Sequence, residues 1–146
     1  MGHQKKKLTK PDVMYIDMDG VMVSLNKLPY PQLVPDAMDF IAWAVKHFKC
    51  KWLTCWGEEE IHKQFPQLPK IEYADWSRKL SSHGDKVTGI DLSEQWVWLD
   101  DDKMSNEQAV LEEKGQQYRF VHIDGQDNEA LTKFMKWANK EWDLKD

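Results

Sequence analysis

Val13-Met14-Tyr15-Ile16-Asp17-Met18-Asp19-Gly20-Val21 is the stretch on which the fold turns. A short, unbroken apolar run closed by Asp-Met-Asp-Gly predicts a strand that is buried and ends in a turn. Gly20 can adopt backbone angles closed to other residues, so the chain can swing sharply away behind the two carboxylates. A carboxylate at the end of a buried strand is costly unless it is paired or bound to a cation. The plainer alternative is a turn whose Asp side chains bond their own backbone.

Outward from this stretch, strand and helix patterns alternate. Residues 22–34 contain Pro29 and Pro31 and read as loop. Met38, Ile41, Ala42, Val45 and Phe48 then recur at helical spacing behind Pro35. Lys51 to Thr54 reads as a second strand, and Glu58 to Phe65 as a short helix stopped by Pro66. Ile71 to Tyr73 reads as a short third strand and Trp96 to Leu99 as a fourth, running into Asp100-Asp101-Asp102. Ser105 with Gln108 forms a capping-box pattern for the next helix, and Gly115 supplies its stop. Phe120 to Ile123 reads as a fifth strand. A last helix over 128–142 carries Leu131, Phe134, Ala138 and Trp142 on one stripe.

This alternation predicts an α/β fold: a three-layer sandwich around a mostly parallel, five-stranded Rossmann-like sheet. All strands then point their carboxyl ends to one edge, where such sheets bind ligands. Residues 12–146 read as a single domain, and 1–11 as a flexible basic tail carrying Lys5, Lys6, Lys7 and Lys10. The net charge of -5 excludes a strong whole-domain field for nucleic acid. No apolar run approaches the roughly 20 residues needed to span a bilayer, so no membrane partner is expected. With no apolar leader, a cytoplasmic location is the expectation. Cys50 and Cys55 are expected as free thiols.

Four features carry chemistry. Asp17 and Asp19 end the first strand. Three acidic side chains, Asp100, Asp101 and Asp102, end the fourth, and they repel one another unless a cation or a helix N-terminus stabilises them. If the two strands are neighbours, these groups converge into a set of hard oxygen donors that suits magnesium. Thr54 follows the second strand in Trp52-Leu53-Thr54-Cys55-Trp56-Gly57, where a hydroxyl and free backbone N–H groups can hold a phosphate oxygen. A lysine between Thr54 and the acidic triplet completes the set, with Lys79 and Lys86 both eligible. Lys86 is preferred because one or two helical turns carry it into the fourth strand.

In this chain order the four features resemble the haloacid dehalogenase superfamily: D-x-D-G-[TV] after the first strand, a Ser or Thr after the second, a lysine, and an acidic pair after the fourth. The W-x-T-x-W-G and W-x-x-D-D-D texture is similar to small, capless members associated with RNA-repair proteins. The resemblance covers residues 13–142. It implies a Mg2+-dependent phosphatase with Asp17 as nucleophile, forming an aspartyl-phosphate, and Asp19 as general acid and then base. It implies magnesium held by Asp17, the backbone carbonyl of Asp19 and the acidic cluster, with Asp101 favoured over Asp100 as direct ligand. Thr54 and Lys86 would hold the oxygens of the transferring group. A third acid, Asp102, departs from the family's pair.

The segments from Asp19 to Thr54 and from Thr54 to Lys86 are filled by the predicted elements, leaving no room for a cap domain. An open site suits a phosphorylated macromolecule such as an RNA or DNA end or a phosphoprotein. Trp56 and Trp76 are candidates to stack on a base there, with packing as the plainer reading. The alternative function is a non-catalytic metal-binding or interaction module on the same fold.

Overall fold

A computed structural model describes residues 6–25, 30–76 and 85–145. At its centre lies β1 (Val13–Ile16), whose residues are all buried. Its alternating side chains feed two different cores: Met14 and Ile16 on one face, Val13 and Tyr15 on the other. A strand with two buried faces needs apolar residues at every position, which is why no polar alternation shows in its sequence.

The remaining elements are α1 (Ala37–His47), β2 (Lys49–Trp52), α2 (Glu58–Gln64), β3 (Glu72–Tyr73), β4 (Trp96–Asp100), α3 (Ser105–Glu113), β5 (Phe120–His122) and α4 (Ala130–Glu141). Single 3-10 turns occupy Lys86–Gly89 and Gln117–Arg119. The strands form one five-stranded sheet in the order β3-β2-β1-β4-β5, and every pairing is parallel. Helices α1, α2 and α4 pack their apolar residues on the Met14–Ile16 face; α3 and the 3-10 turn at Lys86 cover the other. The result is the expected three-layer, Rossmann-like α/β sandwich. Strand order reverses at β1, between β2 and β4, which is where such sheets open a crevice.

Trp52, Trp96, Trp98 and Leu99 are fully buried, and each such large apolar side chain contributes on the order of 1.5–3 kcal/mol through burial. Gly115, at φ +66, ends α3 with paired bonds from Gly115 N to Glu112 O (3.0 Å) and Gln116 N to Leu111 O (2.8 Å). Residues 6–11, expected as part of a flexible tail, make contacts: Leu8 O accepts from Trp142 Nε1 at 3.0 Å, and Lys7 pairs with Glu141 at 3.1 Å. Among the described residues, no helix is long and apolar enough to cross a membrane.

Several sequence expectations are corrected. The buried residues of α1 are Ala37, Phe40, Ile41, Trp43 and Ala44, while Met38 and Val45 are 40% and 41% exposed. The helix is rotated from the expected stripe because the Phe40 and Trp43 rings pack against Phe134 of α4. Strand β2 starts and ends two residues earlier than expected. Its outward Lys49 and Lys51 pair with Glu72 of β3 at 3.4 and 3.5 Å, so charge masks the strand's start. The residue that precedes α3 is Met104, not Ser105; Glu107 Oε1 accepts from Met104 N at 2.9 Å, replacing the Ser105–Gln108 pattern.

Candidate functional site

The parallel register sets Ile16 beside Leu99. Asp17 and Asp100 are the next residues of each chain, and Asp17 N still donates to Leu99 O at 3.1 Å. Both carboxylates are buried, at 4% and 2% exposure. Lys86 opens the 3-10 turn on the same face of the sheet and bridges them, with Nζ 3.1 Å from Asp17 Oδ1 and 2.8 Å from Asp100 Oδ2. Trp98 Nε1 also donates to Asp100 Oδ2 (3.1 Å), and Asp102 N donates to its Oδ1 (3.2 Å).

The turn behind Asp17 is wound tightly on Met18 O, which accepts from Val21, Met22 and Val23 N at 3.2, 2.9 and 2.8 Å. Gly20 sits at φ +80 with Asp101 pressed against it; a Cβ there would lie 2.5 Å from Asp101 Cγ. Only glycine fits both the angle and the space. The close approach brings Asp101 alongside the β1 turn, and oxygens of Asp17, Asp100 and Asp101 fall within 4.8 Å of one another.

Electrostatics follow from that crowding. Burial raises the Asp17 carboxyl above its usual range despite Lys86. Burial and the Asp17 charge push Asp100 up to about 7, with Lys86 acting against them. Burial, then the hydrogen bond and charge of Asp100, push Asp101 up to about 7 as well. Burial alone would lower Lys86, but the Asp17 and Asp100 charges overcome it and hold the ammonium well above its ordinary value. Without a cation, Asp100 and Asp101 are therefore partly protonated near neutrality. Three hard oxygen donors clustered in this way can hold a metal ion, and the ion would displace those protons.

A cavity of about 300 Å³ opens over the cluster, lined by Asp17, Asp19, Lys86, Asp100 and Asp101 together with Cys55, Asp102, Lys103, Met104 and Glu107. Five of the six residues expected at the site thus meet. Thr54 is the exception: it is 1% exposed, its hydroxyl accepts from Trp56 N (3.2 Å), and Cys55 lines the cavity instead. Asp19 is exposed at the mouth, where Oδ1 accepts from Trp56 Nε1 at 2.9 Å, and its carboxylate stands apart from the three-residue cluster. Lys79 lies outside the described residues.

Trp76 is buried in the core of the second face and bonds Thr54 O at 2.9 Å, which rules out base stacking. Trp56 is held by Tyr73 OH at its carbonyl (2.5 Å) and by Phe65 at 5.6 Å between ring centroids. Its link to Asp19 and the presence of Glu107 escaped the sequence reading. The available signals were the second Trp of W-x-T-x-W-G and an acid in the first turn after the triplet.

Fold and site together define a Rossmann-like α/β protein with a cation-capable acidic centre at the carboxyl edge of its sheet. No protein-family model matches the chain, and no curated protein matches it either.

Proposed function

We propose that the chain is a Mg2+-dependent phosphatase of the haloacid dehalogenase type. The observation that carries the reading is the Asp17–Lys86–Asp100 bridge with Asp101 beside it, at the point where strand order reverses. Asp17 is the nucleophile: its carboxylate attacks phosphorus, the leaving oxygen departs, and an aspartyl-phosphate remains. Asp19, exposed at the mouth, donates a proton to that oxygen and later takes one from the attacking water. Lys86 neutralises Asp17 and faces the oxygens of the transferring group.

Asp17, Asp100 and Asp101 would hold the magnesium, whose charge offsets repulsion between carboxylate and phosphate. Asp101 is the freer ligand, because both Asp100 oxygens already accept hydrogen bonds. Exposed Asp19, Cys55, Asp102 and Met104 at the mouth favour a phosphate carried on a large molecule, such as an RNA or DNA end or a phosphoprotein.

The burial of Thr54 outside the cavity lining favours a second reading, a non-catalytic module that holds a cation without turnover. Hydrolysis of an aryl phosphate, phosphorylated RNA ends, nucleotides and phosphoproteins separates the two. The phosphatase reading expects Mg2+-dependent release that EDTA and Asp17→Asn abolish. Cation binding with no turnover on any of these substrates would establish the module instead.

A further inference from the structure

Glu107 lines the same cavity from the first turn of α3 and is 2% exposed. Its Oε1 is used by Met104 N at 2.9 Å, which satisfies one of the otherwise unpaired donors at the helix start. Its Oε2 is buried and has no hydrogen-bond partner. A buried carboxylate oxygen left bare is costly, so a fold that keeps one beside a cavity implies a donor that arrives from the cavity. The neighbouring ammonium of Lys103 does not supply it: Nζ lies over the Phe120 ring, 4.0 Å from its centroid. Lys86 Nζ is bridged between Asp17 and Asp100.

Glu107 is also outside the cluster whose oxygens come within 4.8 Å of one another. It therefore lies outside the set that could ligate directly, while lining the same cavity. Small divalent cations give up water reluctantly and keep several waters when only a few carboxylates bind them. Each such water has protons to donate, and a cavity of about 300 Å³ has room for them.

We propose that Glu107 is a positioning residue of the cation centre, its Oε2 accepting a hydrogen bond from water carried by an ion held at Asp17, Asp100 and Asp101. This inference rests on the cation half of the proposed function and not on turnover. Partners of this kind orient a bound ion's waters, and their removal typically weakens binding by about 10–100-fold.

The test uses the full chain and Mn2+ as the probe. Free Mn2+ is followed by electron paramagnetic resonance, and the bound ion's waters by solvent proton relaxation. Glu107→Gln is expected to weaken Mn2+ by about 10–100-fold and to change the relaxation of the bound waters, while Asp101→Asn loses more affinity. Thermal melting in EDTA checks that each variant folds. Should Glu107→Gln fail to fold, Glu107→Asp carries the test, with an intermediate affinity expected. Mn2+ affinity and relaxation equal to the parent's in the Glu107 variants, with binding lost in Asp101→Asn, would overturn the role of Glu107 and spare the cation centre. A parent chain that does not bind Mn2+ would overturn both.

Discussion

Replacing Lys86 by methionine removes the ammonium that bridges the buried carboxylates of Asp17 and Asp100. The flanking groups are almost dry: side-chain exposure is 13% for Lys86, 5% for Asp17 and 2% for Asp100. Breaking a buried ion pair by deleting one partner costs about 3–5 kcal/mol, because the remaining charge is left uncompensated. Here the stranded carboxyls can escape by taking up a proton. Asp100 already sits at about 7 with Lys86 acting to lower it, so removing the lysine raises it further. A group whose folded value lies above its unfolded value contributes stability at low pH that is lost as pH rises through the folded value.

In the parent, the Asp100 loss levels off above pH 7; in Lys86→Met it continues, by up to about 1.4 kcal/mol per pH unit for one carboxyl. The deficit relative to the parent should therefore be about 3–5 kcal/mol at pH 8.5 and at least about 1 kcal/mol smaller at pH 6. Urea unfolding in EDTA at both pH values, followed by tryptophan fluorescence, measures it. Added Mn2+ should recover part of the loss by restoring positive charge. A deficit of under about 1 kcal/mol, or one equal at both pH values, would refute the electrostatic account of the bridge.

Gly20→Ala forces a side chain into φ +80 and against the Asp101 carboxylate. It should cost about 1–2 kcal/mol from the backbone alone and weaken Mn2+ binding, and parent-like melting and affinity would contradict the close-approach argument. Because Asp101 is pushed up to about 7, its contribution to metal-free stability falls as pH rises from about 4 to 7. Asp101→Asn should flatten that decline in EDTA, and an unchanged slope would show that Asp101 does not titrate in the folded cluster. Trp56→Phe keeps the ring against Phe65 and removes the N–H that holds Asp19. If Asp19 is the general acid, turnover of esters with poor leaving groups should fall about tenfold more than that of aryl phosphates. Equal losses across leaving groups would reduce Trp56 to a packing role.

What the sequence reveals follows from how local each signal is. The β1 run and its Asp-x-Asp-Gly closure are contiguous, and so is the Trp-Val-Trp-Leu run into the acidic triplet; both appear where expected. Among the described residues, strands and helices alternate as their patterns indicate, and α4 buries Leu131, Phe134 and Ala138. The phase of α1 was not legible, because a helix apolar over most of its circumference has no single stripe until α4 selects one. Thr54 looked like a ligand-facing hydroxyl because residue type and position suffice for that guess. In the fold Thr54 is buried, its hydroxyl accepting from Trp56 N and its carbonyl from Trp76 Nε1, contacts that residue type and position do not foretell. Glu107 was hidden for a similar reason: an acid in a helix's first turn is ordinarily a solvated dipole partner, and only tertiary burial makes it unusual.

The division of labour among the carboxylates follows from the period-two geometry of the sheet. Val13 and Tyr15, with Trp96 and Trp98, face the layer formed by α3 and the turn at Lys86. Asp17 and Asp100 continue those two alternations, so the register that pairs Ile16 with Leu99 delivers both carboxylates to the side on which Lys86 waits. Asp101 has the opposite parity and meets the Gly20 turn instead, outside the Lys86 bridge to Asp17 and Asp100. The triplet is thus not three equivalent acids. Asp100 belongs to the ion-pair bridge, Asp101 to the cation-capable face, and the backbone N–H of Asp102 closes back on Asp100 at 3.2 Å. A one-residue slip of β4 against β1 would exchange the first two positions, so the buried tryptophans packed in this register also determine which carboxylate pairs with Lys86 and which meets the Gly20 turn.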